Sequence, residues 1–153
     1  DIMTTAKALG CGVPVGAFLM TEKVGSASLA AGDHGTTYGG NPFACAAISK
    51  VIDLFEEEKV LDNVQKVGAY LWKELDKLTE KYDSIIEHRG VGLMQGLVFD
   101  KPVAPVINKA LEMGLVLINA GTQIIRFVPP LVISEKDVDD MIQILDACLK
   151  ELE

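Results

Sequence analysis

Between Ile2 and Thr21 the chain carries one charged residue, Lys7, in a run broken by Gly10, Gly12, Pro14 and Gly16. That pattern limits the fold more than any other feature. The uncharged stretch from Ala8 to Thr21 is too short and too often interrupted to be a spanning helix, which needs about 20 continuous apolar residues. It reads instead as a tight turn feeding a strand, Val13 to Met20. Charge is segregated along the whole chain: residues 1–50 carry six charged side chains, 51–101 carry eighteen and 102–153 carry twelve. The first third therefore reads as buried. The formal charge of −8 and pI of about 4.7 come without any dense Lys/Arg run, so no basic face is available for nucleic acid. At 49% hydrophobic residues the chain is not disordered. Cys11, Cys45 and Cys148 are odd in number and far apart, which argues against disulfides and zinc and fits a reducing cytoplasm. A start at Asp1, on a chain so apolar for its acidity, leads us to expect a piece of a larger protein.

Downstream the periodicity becomes regular. Asn41-Pro42 is a helix start, with Asn as N-cap, and Ala44, Ala47, Ile48, Val51, Ile52 and Phe55 form one apolar stripe that predicts a helix to about Glu58. Leu61, Val64, Gly68, Leu71, Leu75, Leu78 and Tyr82 predict a second, charge-rich surface helix linking two regions. Short elements follow: strands over Ile85 to His88 and Leu93 to Phe99, a helix over Val103 to Met113 closed by Gly114, and strands over Val116 to Ile118 and Ile124 to Val128. Ser134, with Asp137 three residues on, caps a last helix whose buried stripe is Val138, Met141, Ile142, Leu145, Leu149 and Leu152.

Three features could carry chemistry. Lys7 sits among small and apolar neighbours, which disfavour an ammonium and favour a free amine able to form a Schiff base; the alternative is a lysine that snorkels to water. His34 to Pro42, H-G-T-T-Y-G-G-N-P, sets the hydroxyls of Thr36 and Thr37 and a glycine-rich backbone before a helix start, as a phosphate site or as an ordinary turn. Arg126 is the only charge between Gly114 and Ser134, on an apolar strand ended by Pro129-Pro130. It fits either a bidentate grip on a substrate carboxylate or an internal salt bridge. The glycine runs at Gly10–Gly16 and Gly90–Gly96 lack dinucleotide-loop spacing and read as turns into strands. His34 and His88 are too few for a metal centre, and His88 reads as structural.

Laid out in order, these residues make the chain resemble the C-terminal part of the class III, fold type I, pyridoxal-phosphate-dependent aminotransferases. The motifs are T-T-A-K-A-L-G-x-G-x-P-x-G-A around Lys7, H-G-T-T-Y-G-G-N-P, R-G-x-G-L-M-x-G from Arg89 and R-F-V-P-P-L from Arg126, colinear over nearly all of the chain.

The resemblance implies an α/β fold in which residues 1–60 are the end of a large cofactor-binding domain and residues 61–153 a small α+β C-terminal domain. It implies pyridoxal 5′-phosphate as cofactor, bound covalently by Lys7, which also shuttles a proton. Thr37 would bind the cofactor phosphate of the neighbouring subunit, Thr36 would line the substrate pocket, and Arg126 would grip the substrate α-carboxylate. The implied assembly is a homodimer with shared active sites, without metal, nucleic acid or membrane. The implied reaction is a ping-pong transfer from N-acetylornithine to 2-oxoglutarate in arginine biosynthesis, with ornithine, succinylornithine or 4-aminobutyrate as alternative donors. Other cofactor-holding parts of the family precede Lys7, so these 153 residues alone are expected to be inactive, with residues 1–50 covered by the rest of the large domain. The competing reading is a small acidic α+β module that binds an anion or a protein and catalyses nothing.

Overall fold

The structure, a computed structural model, describes residues 1–152 and divides into two compact units, Asp1–Lys59 and Val60–Glu153. In the first unit β1 (Ile2–Ala6) pairs antiparallel with β2 (Gly16–Met20), in a register that sets Ala6 opposite Gly16. A 3-10 turn, Lys7–Gly10, opens the connection between them, and Cys11 and Gly12 complete it with positive φ. Strand β2 begins three residues later than expected, because Val13–Val15 are spent returning the chain from this turn. Gly10 is required there, since a Cβ on it would lie 2.7 Å from the Val15 side chain. Strand β1 and the short helix α1 (Glu22–Ser28) are absent from the periodicity reading. Each is too short to show a period, and β1 is defined by its partner.

Helix α2 (Pro42–Glu57) begins as the Asn-Pro pair predicts: Asn41 Oδ1 accepts from the Ala44 amide at 2.9 Å, and Pro42 occupies the first turn. It ends where Lys59 turns left-handed, with φ of 49°. Its own residues give the first third little cover. Within this unit only Gly10 and Ala44 are buried, while Ile2, Met3, Tyr38 and Phe43 are more than half exposed.

The second unit is a four-stranded antiparallel sheet in the order β3-β4-β6-β5, formed by Ile85–Val91, Met94–Phe99, Ile124–Phe127 and Ile118–Asn119. Helices α3 (Val60–Lys81), α4 (Ala104–Glu112) and α5 (Glu135–Leu152) complete it. Its core joins Val67, Leu71, Leu75 and Leu78 of α3 to Leu97, Phe99, Ile125 and Phe127 of the sheet and to Val138, Leu145, Cys148 and Leu149 of α5. Helix α3 is thus the spine of this unit, not a surface linker: its stripe is buried from Val67 onward, and only Leu61, before the sheet begins, is left 62% exposed. The strand expected over Val116 to Ile118 is reduced to Ile118–Asn119, because only these residues find partners on β6.

The close fit between α3 and the β3–β4 turn rests on glycine. A Cβ on Gly68 would lie 2.7 Å from the Gly92 backbone, and Gln95 Nε2 bridges the two by donating to the Gly68 and Gly92 carbonyls. With both amide protons used, Gln95 Oε1 can only accept, so His88 Nε2, 3.1 Å away, is the donor. His88 also stacks on Trp72, with ring centroids 3.9 Å apart.

Candidate active site

The site residues named from sequence fall in both units: Lys7, Thr36 and Thr37 in the first, Arg126 in the second. Each is placed by a specific local device. Lys7 follows β1 and opens the 3-10 turn with φ of 53°. A non-glycine residue in the left-handed region carries a conformational cost that the surrounding structure has to hold in place, and such positions cluster at functional sites. Helix α2 packs against this turn and backs it. The Lys7 side chain is exposed, as in the alternative of a lysine that reaches to water. Among the described residues it makes no ion pair.

Thr36 and Thr37 are exposed in the loop before α2. The Gly39 amide donates to the Thr36 carbonyl at 3.1 Å, closing a turn in which a Cβ on Gly39 would lie 2.6 Å from the Thr36 methyl. The Asn41 side chain donates to the Tyr38 carbonyl as well as capping α2, so one residue ties the loop to the helix start. His34, at the head of the loop, meets Phe18 of β2 edge-on at 5.0 Å. The loop is thereby anchored to the strand pair that carries Lys7. No hydrogen bond joins Lys7 to either threonine among the described residues.

Arg126 lies on β6 opposite Gly96 and Ile118. It is exposed, and among the described residues it has neither an ion pair nor a hydrogen bond; the internal salt bridge considered from sequence is not formed. The reason is strand alternation: Ile125 and Phe127 point into the core, so Arg126 points out of it. It stands between two concavities. One, of about 380 Å³, is walled by apolar side chains including Leu117, Phe127, Pro129 and Met141. The other is an open groove of about 510 Å³ over the outer sheet face, which Arg89 also lines. Arg89 was quoted in a motif but given no role by sequence reasoning, since its neighbourhood to Arg126 exists only through strand pairing. Among the described residues no cluster of His, Cys, Asp or Glu could hold a metal, and no helix is long and apolar enough to cross a membrane.

Each unit thus carries its own exposed groups: in the first the Lys7 amine and the threonine hydroxyls, in the second, among the described residues, a guanidinium without a side-chain partner. The family model described as aminotransferase class III matches residues 1–149. The chain is 44% identical to an acetylornithine aminotransferase of Gloeobacter violaceus over 99% of its own length and 38% of that protein's. A crystal structure of acetylornithine aminotransferase from Elizabethkingia anophelis superposes with a TM-score of 0.89 at 31% identity, over 99% of this chain and 39% of that one. Plasmodium falciparum ornithine delta-aminotransferase gives 0.90 at 30%, over 99% and 40%. The chain thus spans about two fifths of the length of the relatives it matches, and its fold is part of the transaminase fold. By family model, sequence identity and fold together, this chain belongs to the class III aminotransferases.

Proposed function

We propose that the protein to which this chain belongs is a pyridoxal-phosphate-dependent aminotransferase that moves the δ-amino group of N-acetylornithine to 2-oxoglutarate, in arginine biosynthesis. The observation that carries the reading is Lys7: an exposed amine with no carboxylate partner, on a left-handed backbone position braced by α2. The name and the identity level of the Gloeobacter relative favour N-acetylornithine over the other donors of the family. We place the enzyme in the cytoplasm, where the exposed thiols of Cys11 and Cys45 stay free.

Bound pyridoxal phosphate would supply the electron sink that stabilises charge on the amine-bearing carbon. Lys7 Nζ would be the group that holds it covalently. The same Nζ would serve as the base that moves the proton of the amine-bearing carbon, from a position that the left-handed backbone of Lys7 holds. The Thr37 hydroxyl would donate to the phosphate of the cofactor held by the neighbouring subunit of a homodimer, and Thr36 would line the substrate pocket. Arg126 binds the α-carboxylate with its two-pronged guanidinium, so that the amine is delivered in one orientation.

The test uses the full-length holoenzyme with N-acetylornithine and 2-oxoglutarate. Turnover is expected, with Lys7→Ala losing at least about 1,000-fold in kcat together with the lysine-linked cofactor absorption band. The 153 residues alone should show no turnover with added cofactor. A full-length protein without bound cofactor, or a Lys7→Ala variant of unchanged spectrum and rate, would sink the reading.

A further inference from the structure

The loop that carries Thr36 and Thr37 makes only local hydrogen bonds among the described residues. The Asp33 amide donates to the Ala30 carbonyl at 3.1 Å, and the Asp33 carboxylate accepts from the Ala30 amide at 2.7 Å. Gly39 and Asn41 close two further turns, onto the carbonyls of Thr36 and Tyr38. These bonds shape the turns but do not fix the loop against the rest of its unit. Gly32, Gly35, Gly39 and Gly40 add to the entropy that must be lost when the loop is ordered.

Among the described residues one ring contact reaches beyond the loop. His34 meets Phe18 of β2 with centroids 5.0 Å apart and planes at 81°, the geometry of a T-shaped aromatic pair. Phe18 is paired with Thr4 of β1, the strand that runs directly into the Lys7 turn. The loop is therefore held to the same strand pair that presents the lysine. Only Gly35 separates His34 from Thr36 and Thr37, so freeing the His34 ring frees both hydroxyls. A loop that is in its binding arrangement only part of the time binds with an affinity lowered by that fraction.

We propose that His34 is a positioning residue for the cofactor phosphate: its ring, docked on Phe18, holds the Thr37 hydroxyl in place without itself touching the phosphate. The inference rests on the reading of Thr37 given above and goes beyond it, since a side chain outside the phosphate contact decides how well Thr37 binds. The test titrates the full-length protein, freed of cofactor, with pyridoxal phosphate and with pyridoxal, which lacks the phosphate, and follows the lysine-linked absorption band. His34→Ala should weaken pyridoxal phosphate binding by about 3- to 10-fold, the worth of one aromatic pair, and change pyridoxal binding by less than about twofold. Phe18→Leu should do the same, and the double variant should lose no more than either single one, because both remove one contact. His34→Phe, which keeps a ring but no ring nitrogen, should recover most of the loss. A His34→Phe variant as weak as His34→Ala would make the imidazole itself a phosphate ligand and overturn the positioning role. Additive losses in the double variant would overturn it too, as would equal weakening toward both compounds with a lowered Tm. A wild-type protein that binds pyridoxal as tightly as pyridoxal phosphate defeats the reading of Thr37, whereas a phosphate preference indifferent to His34 defeats the inference.

Discussion

At the scale of single residues, glycine and arginine show where chemistry could be read directly and where it could not. Lys7 stands out in sequence because it is the lone charge in an apolar, glycine-broken stretch. Its exposure does not stand out, because exposure depends on how large the neighbouring side chains are. Arg126 is legible as a lone charge on a strand, yet only the alternation of buried Ile125 and Phe127 shows that it faces outward and has no internal partner. Gly68 falls on the apolar stripe of α3, where the pattern alone gives no reason for a glycine. Replacing it with Ala would gain about 1 kcal/mol in helix propensity. The new Cβ would lie 2.7 Å from the Gly92 backbone, which cannot yield as a flexible side chain could. We expect the clash to win, with Gly68→Ala net destabilising by about 1–3 kcal/mol in chemical denaturation. A neutral or stabilised variant would mean that the turn relaxes freely.

At the scale of elements, the long helices were legible because their starts and stripes are local. The cap of α5 is reciprocal: the Ser134 amide donates to Asp137 Oδ2 at 2.7 Å, and the Asp137 amide donates to Ser134 Oγ at 3.3 Å. The Ser134 hydroxyl, which also donates to Asp137 Oδ2 at 2.7 Å, and after it the Ser134 amide hold the Asp137 carboxyl below its ordinary value of 3.8. A depressed carboxylate contributes stability that is present above the unfolded value and is lost as pH falls through the folded one. Ser134→Ala should lower Tm by about 4–8 °C at pH 7, and the gap to wild type should narrow as both are acidified below about pH 4. A gap independent of pH would show that the carboxylate takes no part in the cap. Asp146, held below its ordinary value by the Lys81 ammonium and the Tyr82 hydroxyl, adds to the same acid sensitivity from the α3–α5 contact. Short elements were not legible. Strand β1, helix α1 and the two-residue β5 have too few positions to display a period, and the strands exist only through their partners.

At the scale of the whole molecule, the two units differ in what holds them. The second has a continuous core from α3 through the sheet to α5. The first buries only Gly10 and Ala44 and leaves Ile2, Met3, Leu19, Phe43 and Ile52 at least half exposed. We propose that residues 60–153 fold independently, whereas residues 1–59 need apolar cover from further parts of the protein. The expected outcome is a dispersed amide spectrum and a cooperative melt for 60–153 alone, and neither for 1–59; a non-cooperative 60–153 would refute it. The sequence by itself determined the helix boundaries, the alternation of strands and the order of four motifs that mark the family, because caps, periods and motif spacings are local and are written in consecutive residues. Tertiary structure alone decided which face Arg126 presents, which residue stands beside it across Gly96, and how little of the apolar first third its own unit covers. Each of these depends on strand register or on how much surface distant residues can cover, and neither quantity is encoded in any one stretch of chain.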